Sequence, residues 1–242
     1  MRRGKYDGDY YSYGNESSVI ASRQSSLTLM NKVYLWMTGA LALSAISAFL
    51  VLRDEALLQR AHQSYLALAL IEIGLVIGLS WLIDKMTAAV AGALFGVYSV
   101  LSGITLGVIV SMYAQDAILP AFIASGGTFL ATSVYGYITK KDLSSVGSFC
   151  IMALIGLIIA SLLNLFFRSP MAYWLITYLM VFVFIGLTAW DTQKIKELSA
   201  VCDPNDEESK KIAILGALSL YLDFINLFIL FLRIFGGGGR RD

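Results

Sequence analysis

The sequence predicts an all-α integral membrane protein with seven transmembrane helices. Of its 242 residues, 57% are hydrophobic and only 14% are charged, whereas an average soluble domain is about 25% charged. Seven apolar runs are also long enough to cross a bilayer, since an α-helix needs about 20 residues to span the hydrocarbon core. These runs leave no room for a second folded domain, so we expect one transmembrane bundle over residues 31–235.

The predicted spans follow one another with short connections. They lie near Lys32 to Leu52, Ser64 to Ile83, Ala88 to Tyr113, Ala117 to Ile138, Ser145 to Phe167, Pro170 to Trp190 and Ile212 to Phe235. Pro120 and Pro170 lie at the starts of the fourth and sixth spans, where a missing N–H costs little. Because no span is interrupted, the broken helices that mark many secondary transporters are disfavoured.

Polar segments flank the bundle at both ends. Residues 1–30 are rich in Tyr, Gly and Ser and contain no apolar region near Met1, so we expect a flexible tail and not a cleaved signal peptide. Residues 236–242 combine four glycines with Arg240, Arg241 and Asp242. We expect a second flexible tail there.

The distribution of basic residues predicts the orientation in the membrane, because cytoplasmic loops carry an excess of Lys and Arg. With the N-terminus in the cytoplasm, the outside loops hold only Arg53, Arg60 and Arg168. The inside segments then hold twelve basic residues: Arg2, Arg3, Lys5, Arg23, Lys32, Lys85, Lys140, Lys141, Lys194, Lys196, Lys210 and Lys211. We therefore expect a cytoplasmic N-terminus and an outside C-terminus.

Several classes of function lack the residues that they require. The net charge is only +1, and we expect no nucleic acid partner. His62, the only histidine, lies in the first outside loop, so a Ser-His protease or a zinc metalloprotease in the membrane would lack its base or its ligand. The seventh span contains no Lys for a retinal Schiff base. We expect neither an enzyme nor a tightly bound cofactor.

Four ionisable side chains interrupt the apolar spans: Glu72, Asp191, Asp223 and Arg233. A charge in hydrocarbon costs from about 2.5 kcal/mol on insertion scales to 10 or more in simulations of an isolated helix. Each of the four is therefore expected to face the bundle interior or water. They are the first candidates for functional residues.

The seventh span carries a single polar stripe. At about 100° per residue, Gly216, Ser219, Asp223, Asn226 and Arg233 fall within roughly a third of the helix circumference. Such a stripe predicts a central helix with its polar side against partner helices, as a pore or a polar seam. The alternative is a hydrogen-bonded seam that serves only helix association.

The depth of each charged residue along its helix predicts which charged side chains can contact each other. Glu72 lies about 12 Å below Ser64 along the second span, and Arg233 lies near the outer end of the seventh. We expect these two to form an ion pair in the outer half of the bundle, either as a latch or as a permanent structural pair.

Asp191 closes the sixth predicted span, and Asp223 lies about 18 Å above Lys211. Depth alone does not bring the two carboxyl groups together. If the bundle does so, like charges and poor solvation make them share a proton, which gives a pH sensor without histidine. The alternative for Asp191 is an interfacial carboxylate beside Lys194.

The two aspartates lie in the segments Gly186-Leu187-Thr188-Ala189-Trp190-Asp191-Thr192-Gln193-Lys194-Ile195 and Gly216-Ala217-Leu218-Ser219-Leu220-Tyr221-Leu222-Asp223-Phe224-Ile225-Asn226-Leu227-Phe228. These segments closely resemble the signature of the transmembrane Bax inhibitor motif family, also called the Bax inhibitor-one family. The resemblance covers the chain from the first span to Arg233, and the bacterial branch is the most similar.

This resemblance implies a seven-helix bundle in which the seventh helix is surrounded by the other six, working as a pH-sensitive calcium leak channel. It implies that Asp191 and Asp223 are the paired sensor carboxylates and transient ligands of Ca²⁺, and that Glu72 and Arg233 form the outer ion pair. Lys85 is the candidate basic residue that receives Asp223 on opening. A bacterial inner membrane is the implied location, with the bilayer, protons and calcium as partners.

Two other functions stay open. In the first, the bundle conducts nothing and binds another membrane protein, such as a protease or a cell-death partner whose activity it modulates. In the second, it is a proton-coupled carrier of a small solute. The first predicts a partner that co-purifies, and the second predicts saturable uptake of that solute.

Overall fold

The computed structural model describes residues 7–201 and 206–237, with side chains described for 27–200 and 206–237. The described residues form eight α-helices and no strand: α1 (Asp7–Arg53), α2 (Glu55–Gln63), α3 (Tyr65–Leu82), α4 (Ala88–Ser111), α5 (Gln115–Ile138), α6 (Ser144–Phe167), α7 (Pro170–Val201) and α8 (Glu207–Gly236). A short 3-10 turn, Ile83–Lys85, follows α3.

Seven of these helices are long and apolar enough to cross a membrane: residues 27–53 of α1, and α3 to α8. The remaining helix, α2, is short, and the Asp54 carboxylate caps its start by accepting hydrogen bonds from the N–H groups of Ala56 and Leu57. The predicted class, an all-α membrane protein with seven spans, is confirmed. Spans three to seven are α4 to α8, and the second span is α3.

Helix α8, the predicted seventh span, is the most buried of the seven. In its most apolar stretch 67% of the residues are buried, against 6% in α6. It packs extensively against α1, α4, α5 and α7, whereas α3 packs mainly on α4 and α6 on α7. The expectation that all six other helices surround it is not confirmed, because α3 and α6 do not pack extensively against α8.

Glycines set the closest helix approaches. A Cβ atom on Gly103 of α4 would collide with the backbone of Ser44 in α1, and one on Gly107 would meet the carbonyl oxygen of Ala48 at 3.1 Å. On α5, a Cβ atom on Gly136 would collide with the backbone of Ala189 in α7. Small residues thus bring α4 onto α1 and α5 onto α7.

The helices extend beyond the predicted spans. Leu29 and Met30 are buried in the core, so the bundle begins before residue 31, and the backbone of α1 is helical from Asp7 in a segment expected to be a flexible tail. Residues 1–6 of that tail lie outside the described residues. At the other end α8 includes Gly236, and residues 238–242 likewise lie outside the description.

One end of the bundle, here named the lysine-rich end, carries Lys85, Lys140, Lys141, Lys194, Lys196, Lys210 and Lys211. There the Gln193 side chain of α7 accepts a hydrogen bond from the N–H of Leu143 and donates one to the carbonyl of Lys141, both at 2.8 Å. Lys196 Nζ donates to the carbonyl of Tyr137 at 2.7 Å. These bonds fasten the α5–α6 loop to α7.

Asp142 in the same loop accepts a hydrogen bond from the Ser144 N–H at 2.8 Å, at the start of α6. The backbone bond, followed by one from the Ser144 side chain, lowers the pKa of the Asp142 carboxyl below its usual value. This exposed carboxylate therefore acts as a cap for α6.

Candidate functional site

Asp223 is the buried acid of the bundle core. It lies in the middle of α8 and is only 4% exposed. Its Oδ2 atom is buried and has no hydrogen-bond partner, although its carboxyl group lies beside Thr188 and within electrostatic reach of Asp191, both on α7. A buried polar atom without a partner is uncommon and costly, and often marks a functional position.

Helix α7 presents Thr188 and Asp191 on one face, three residues apart. The Thr188 hydroxyl donates its hydrogen to the carbonyl of Phe184 at 2.7 Å. The same hydroxyl also lies within hydrogen-bonding reach of the Asp223 carboxyl group. Asp223 thus faces both a hydroxyl and an acid of α7.

Asp191 is half-buried and interacts with Lys194, one turn further along α7. Lys194 Nζ also lies 5.1 Å from the centre of the Trp190 ring. The two interpretations of Asp191 are therefore compatible, because it faces both the buried Asp223 and a lysine at the lysine-rich end.

Helices α7 and α8 extend beyond the predicted apolar spans. Depths measured from the ends of those spans therefore placed Asp191 and Asp223 at different levels in the membrane. Asp191 does not close its helix: α7 continues ten residues to Val201, about 15 Å. Helix α8 begins at Glu207, so Asp223 lies sixteen residues, about 24 Å, from its start. Both helices project beyond their apolar stretches, and the two carboxyl groups lie within electrostatic reach of each other.

A second polar contact lies next to this pair. The Tyr34 hydroxyl of α1 interacts with Ser133 of α5 and Thr192 of α7, and the Thr192 and Ser133 hydroxyl oxygens are 3.4 Å apart. Thr192 follows Asp191 directly. Hydroxyl groups thus border Asp191 on α7, and the sequence did not predict them.

The side-chain oxygens around Asp191 and Asp223 are fewer than a resident Ca²⁺ takes. Ca²⁺ takes six to eight oxygen ligands in stable protein sites. Asp191, Asp223 and Thr188 supply side-chain oxygens from two helices only, and within the described residues no three acidic, His or Cys side chains cluster.

Among the described residues, Glu72 and Arg233 do not form the predicted outer ion pair in this structure. Glu72 of α3 accepts a short hydrogen bond from the Thr105 hydroxyl of α4, and it interacts with Tyr221 of α8. Arg233 lies twelve residues beyond Tyr221, about 18 Å along α8. Its guanidinium contacts the Tyr113 hydroxyl and lies 5.9 Å from the Tyr173 ring centre.

A hydroxyl cluster missed by the sequence analysis surrounds Glu72. Tyr98, Ser102 and Thr105 share one face of α4, and Ser102 hydrogen-bonds both Tyr98 and Tyr221. The Tyr221 hydroxyl also lies 2.7 Å from that of Ser44 in α1. The spacing of four and then three residues in α4 was the signal, since it places these side chains on one helical face.

Gly216, Ser219 and Asn226 lie along α8, and their role in a pore or polar seam stays a prediction. Gly216 allows Ile195 of α7 to approach, since a Cβ atom would lie 3.0 Å from Ile195 Cγ1. Asn226 donates from Nδ2 to the Leu222 carbonyl of its own helix at 2.8 Å, and Ser219 is half-buried. Lys85 is exposed in the 3-10 turn after α3, and its contact with Asp223 stays a prediction.

Fold and site together define a seven-span membrane protein with a buried acidic pair between its last two helices. A family profile described as "Inhibitor of apoptosis-promoting Bax1" matches residues 27–241. The chain belongs to this family, the Bax inhibitor motif family.

Bacterial relatives match almost the whole chain. The inner membrane protein YbhL of Escherichia coli K12 is 42% identical over 228 residues, which cover 93% of this chain and 97% of YbhL. A protein of Deinococcus radiodurans is 42% identical over 215 residues, 89% of this chain and 91% of its own length. A membrane protein of Streptococcus pyogenes serotype M6 is 40% identical over 210 residues, 85% of this chain and 90% of its own length.

Proposed function

We propose that this protein is a pH-sensitive calcium leak channel whose gate is the pair Asp191 and Asp223. One observation carries the proposal: Asp223 is buried in the most enclosed helix, with an unpartnered oxygen, beside an acid of the neighbouring helix. A purely structural contact at this place would be better served by an apolar or fully hydrogen-bonded pair.

In the closed form, a proton held by the pair keeps α7 and α8 together. When the proton is lost as pH rises, two negative carboxylates face each other in a poorly hydrated place and repel. Their separation moves α8 away from α7 and turns carboxylate oxygens toward the proposed route of the ion through the bundle. Such oxygens are the ligands that Ca²⁺ prefers.

Helix α8 has a second anchor on a different side. Tyr221 precedes Asp223 by two residues, about 200° around the helix, and bonds to Ser44 of α1 and Ser102 of α4. We propose that this anchor stays in place when the acidic pair opens. Motion of α8 would then be a rotation or tilt about Tyr221, with Lys85 as the candidate basic partner of Asp223 in the open form.

The proposed location is a bacterial inner membrane with the lysine-rich end in the cytoplasm. The printed name of the Escherichia coli relative supports the membrane. The excess of lysines at one end supports the orientation. Reaction of single introduced cysteines with an impermeant reagent, at residue 141 or at residue 168, would test which end faces out.

The test of the channel is Ca²⁺ uptake by proteoliposomes at a series of pH values. For the intact chain we expect uptake to rise with pH. Asp223→Asn, which cannot lose a proton, should remove the pH dependence, while Asp116→Asn, a change at an exposed acid in the first turn of α5, should keep it. An unchanged pH profile in Asp223→Asn would remove Asp223 from the gate.

The same preparation separates the other two functions. A bundle that leaks no cation at any pH, but co-purifies with a membrane protease or another membrane protein, would be an interaction protein. Saturable uptake of a small solute that depends on a proton gradient would identify a carrier. Either result would replace the channel proposal.

A further inference from the structure

A groove of about 600 Å³ lies between α1 and α5, within the membrane-spanning part of the bundle. Its walls include Met37 of α1 and Phe129 and Leu130 of α5, and it reaches inward to Phe224 of α8. Neither the proposed gate residues nor the Glu72 cluster lines it. Tyr34 and Ser133, which contact Thr192 beside Asp191, do line it, so the groove adjoins the acidic pair but contains neither of its carboxyl groups.

The groove exists because α1 and α5 each pack on α7 and α8 but not extensively on each other. It opens sideways: Leu130 and Val134, which line it, are 65% and 51% exposed. In a membrane this opening faces the hydrocarbon and not water. An occupant must therefore arrive from the bilayer.

The size of the groove favours an acyl chain over a protein helix. A helix about 10 Å across occupies roughly 400 Å³ per turn, so the groove holds less than two turns of one. A spanning partner helix needs about 20 residues, or more than five turns. The lining residues carry no charge and are mainly Leu, Met, Phe and Val, which suits hydrocarbon.

The end of the groove that lies near the lysine-rich end favours an anionic headgroup. Tyr137 of α5 and Asn31 of α1 line its mouth near the lysine-rich end. Lys140 and Lys141 follow Tyr137 within four residues, and both are exposed. Lysines at the membrane surface attract anionic headgroups, so a lipid whose tail enters the groove would place its headgroup beside these two residues.

We propose that the α1–α5 groove binds one acyl chain of an anionic phospholipid, from the leaflet at the lysine-rich end, with its headgroup held by Lys140 and Lys141. This is a defined lipid site and not general solvation by the bilayer. The inference does not rest on the channel proposal, because it concerns binding alone.

Two adjacent glycines provide a matched test. A Cβ atom at either Gly126 or Gly127 meets nothing within 4 Å, but only Gly126 lines the groove. Gly126→Leu should fill the groove, and Gly127→Leu should add the same side chain outside it. Leu130→Trp is a second groove-filling variant, on a wall residue, in case the first disturbs folding.

The protein would be reconstituted in vesicles of phosphatidylcholine and phosphatidylglycerol with a photoactivatable group on one acyl chain, and labelled peptides mapped by mass spectrometry. We expect strong labelling of residues 27–41 and 126–137 by the phosphatidylglycerol probe. This labelling should fall several-fold in Gly126→Leu and in Leu130→Trp, but not in Gly127→Leu.

Replacing both lysines, Lys140→Gln with Lys141→Gln, should remove the preference for the phosphatidylglycerol probe over the phosphatidylcholine probe. Equal labelling of these segments in the intact chain and in both groove-filling variants would overturn the site. Equal labelling by the two probes in the intact chain would overturn the proposed preference for an anionic headgroup. These readouts do not depend on ion flux, so they can fail while the channel proposal stands.

Discussion

The hydroxyl groups of Ser44 and Tyr221 lie 2.7 Å apart and join the first helix of the bundle to the last. The Ser44 hydroxyl also lies 2.7 Å from the Ser99 carbonyl of α4. The ring of Tyr221 is fully buried and meets those of Phe95 and Tyr98 edge to face, at 5.8 Å and 5.7 Å. One side chain thus links three helices by polar and aromatic contacts.

Tyr221→Phe should lower the free energy of unfolding by about 1 kcal/mol, because it removes the hydrogen bonds of the hydroxyl but keeps the ring contacts. Tyr221→Ala should cost about 3 to 5 kcal/mol, since it also leaves a cavity. Denaturation in detergent micelles measures both. Tyr135→Phe, at a half-exposed tyrosine of α5, is the control, and an equal effect there would contradict the expected role of Tyr221.

Glu72 should be energetically coupled to Thr105 and not to Arg233. Side chains in contact show interaction energies of about 0.5 to 3 kcal/mol in double-mutant cycles, while independent sites add to within about 0.5 kcal/mol. The cycle of Glu72→Gln with Thr105→Val should therefore give a measurable coupling energy. The cycle of Glu72→Gln with Arg233→Gln should give none, and strong coupling there would restore the outer ion pair.

Gln193→Ala should loosen the α5–α6 loop. It leaves the Leu143 N–H and the Lys141 carbonyl without their partner, which costs about 1 to 3 kcal/mol for buried groups. Hydrogen exchange of residues 139–147 should become faster, and the melting temperature should fall. Gln115→Ala, at an exposed position at the start of α5, should change neither. Unaltered exchange in Gln193→Ala would show that the loop is held by other contacts.

Gly136→Ala should destabilise the bundle although alanine is the better helix former. The added Cβ atom would lie 2.9 Å from the carbonyl carbon of Ala189, and relieving such overpacking costs about 1 to 3 kcal/mol. On the same helix, Gly127→Ala meets nothing within 4 Å and should stabilise by about 0.5 to 1 kcal/mol. Opposite signs for the two substitutions, measured by thermal denaturation, are the expected result.

The cap at the start of α6 should depend on pH. Because the pKa of Asp142 is lowered in the folded protein, the cap is fully present above the usual aspartate pKa of about 4. It is lost as pH falls through the lowered value. Exchange protection of Ser144 and its neighbours should fall over that acidic range. Asp142→Ala should remove this pH dependence and Asp116→Ala should not; a dependence that persists in Asp142→Ala would assign it to another group.

The length of the apolar runs was sufficient to predict the seven spans. In lipid, each run can satisfy its backbone hydrogen bonds within itself only as a helix. The prediction that Asp191 and Asp223 lie close together came from the family resemblance, because their depths in the predicted spans differed. Hydropathy marks only the apolar part of a helix, and it therefore missed the polar overhangs of α7 to Val201 and of α8 to Glu207.

The structure does not pair Glu72 with Arg233, for a related reason. Opposite charges in two spans suggest a partner, but neutral groups also satisfy a charge, and Thr105 and Tyr113 do so for Glu72 and Arg233. Which hydroxyl a carboxylate meets depends on how the helices rotate about their axes. That rotation is set by close contacts such as Gly103 against Ser44, which a single sequence does not reveal.

Helix α6 rests mainly on α7, the helix of Asp191, and its other sides are bare Leu, Ile and Phe. Any force that the surrounding hydrocarbon exerts on α6, through a change in bilayer thickness for example, is therefore passed to α7 before it reaches the rest of the bundle. The helix that carries Asp191 thus takes up what the lipid exerts on α6, in addition to its own exposed side chains such as Phe182.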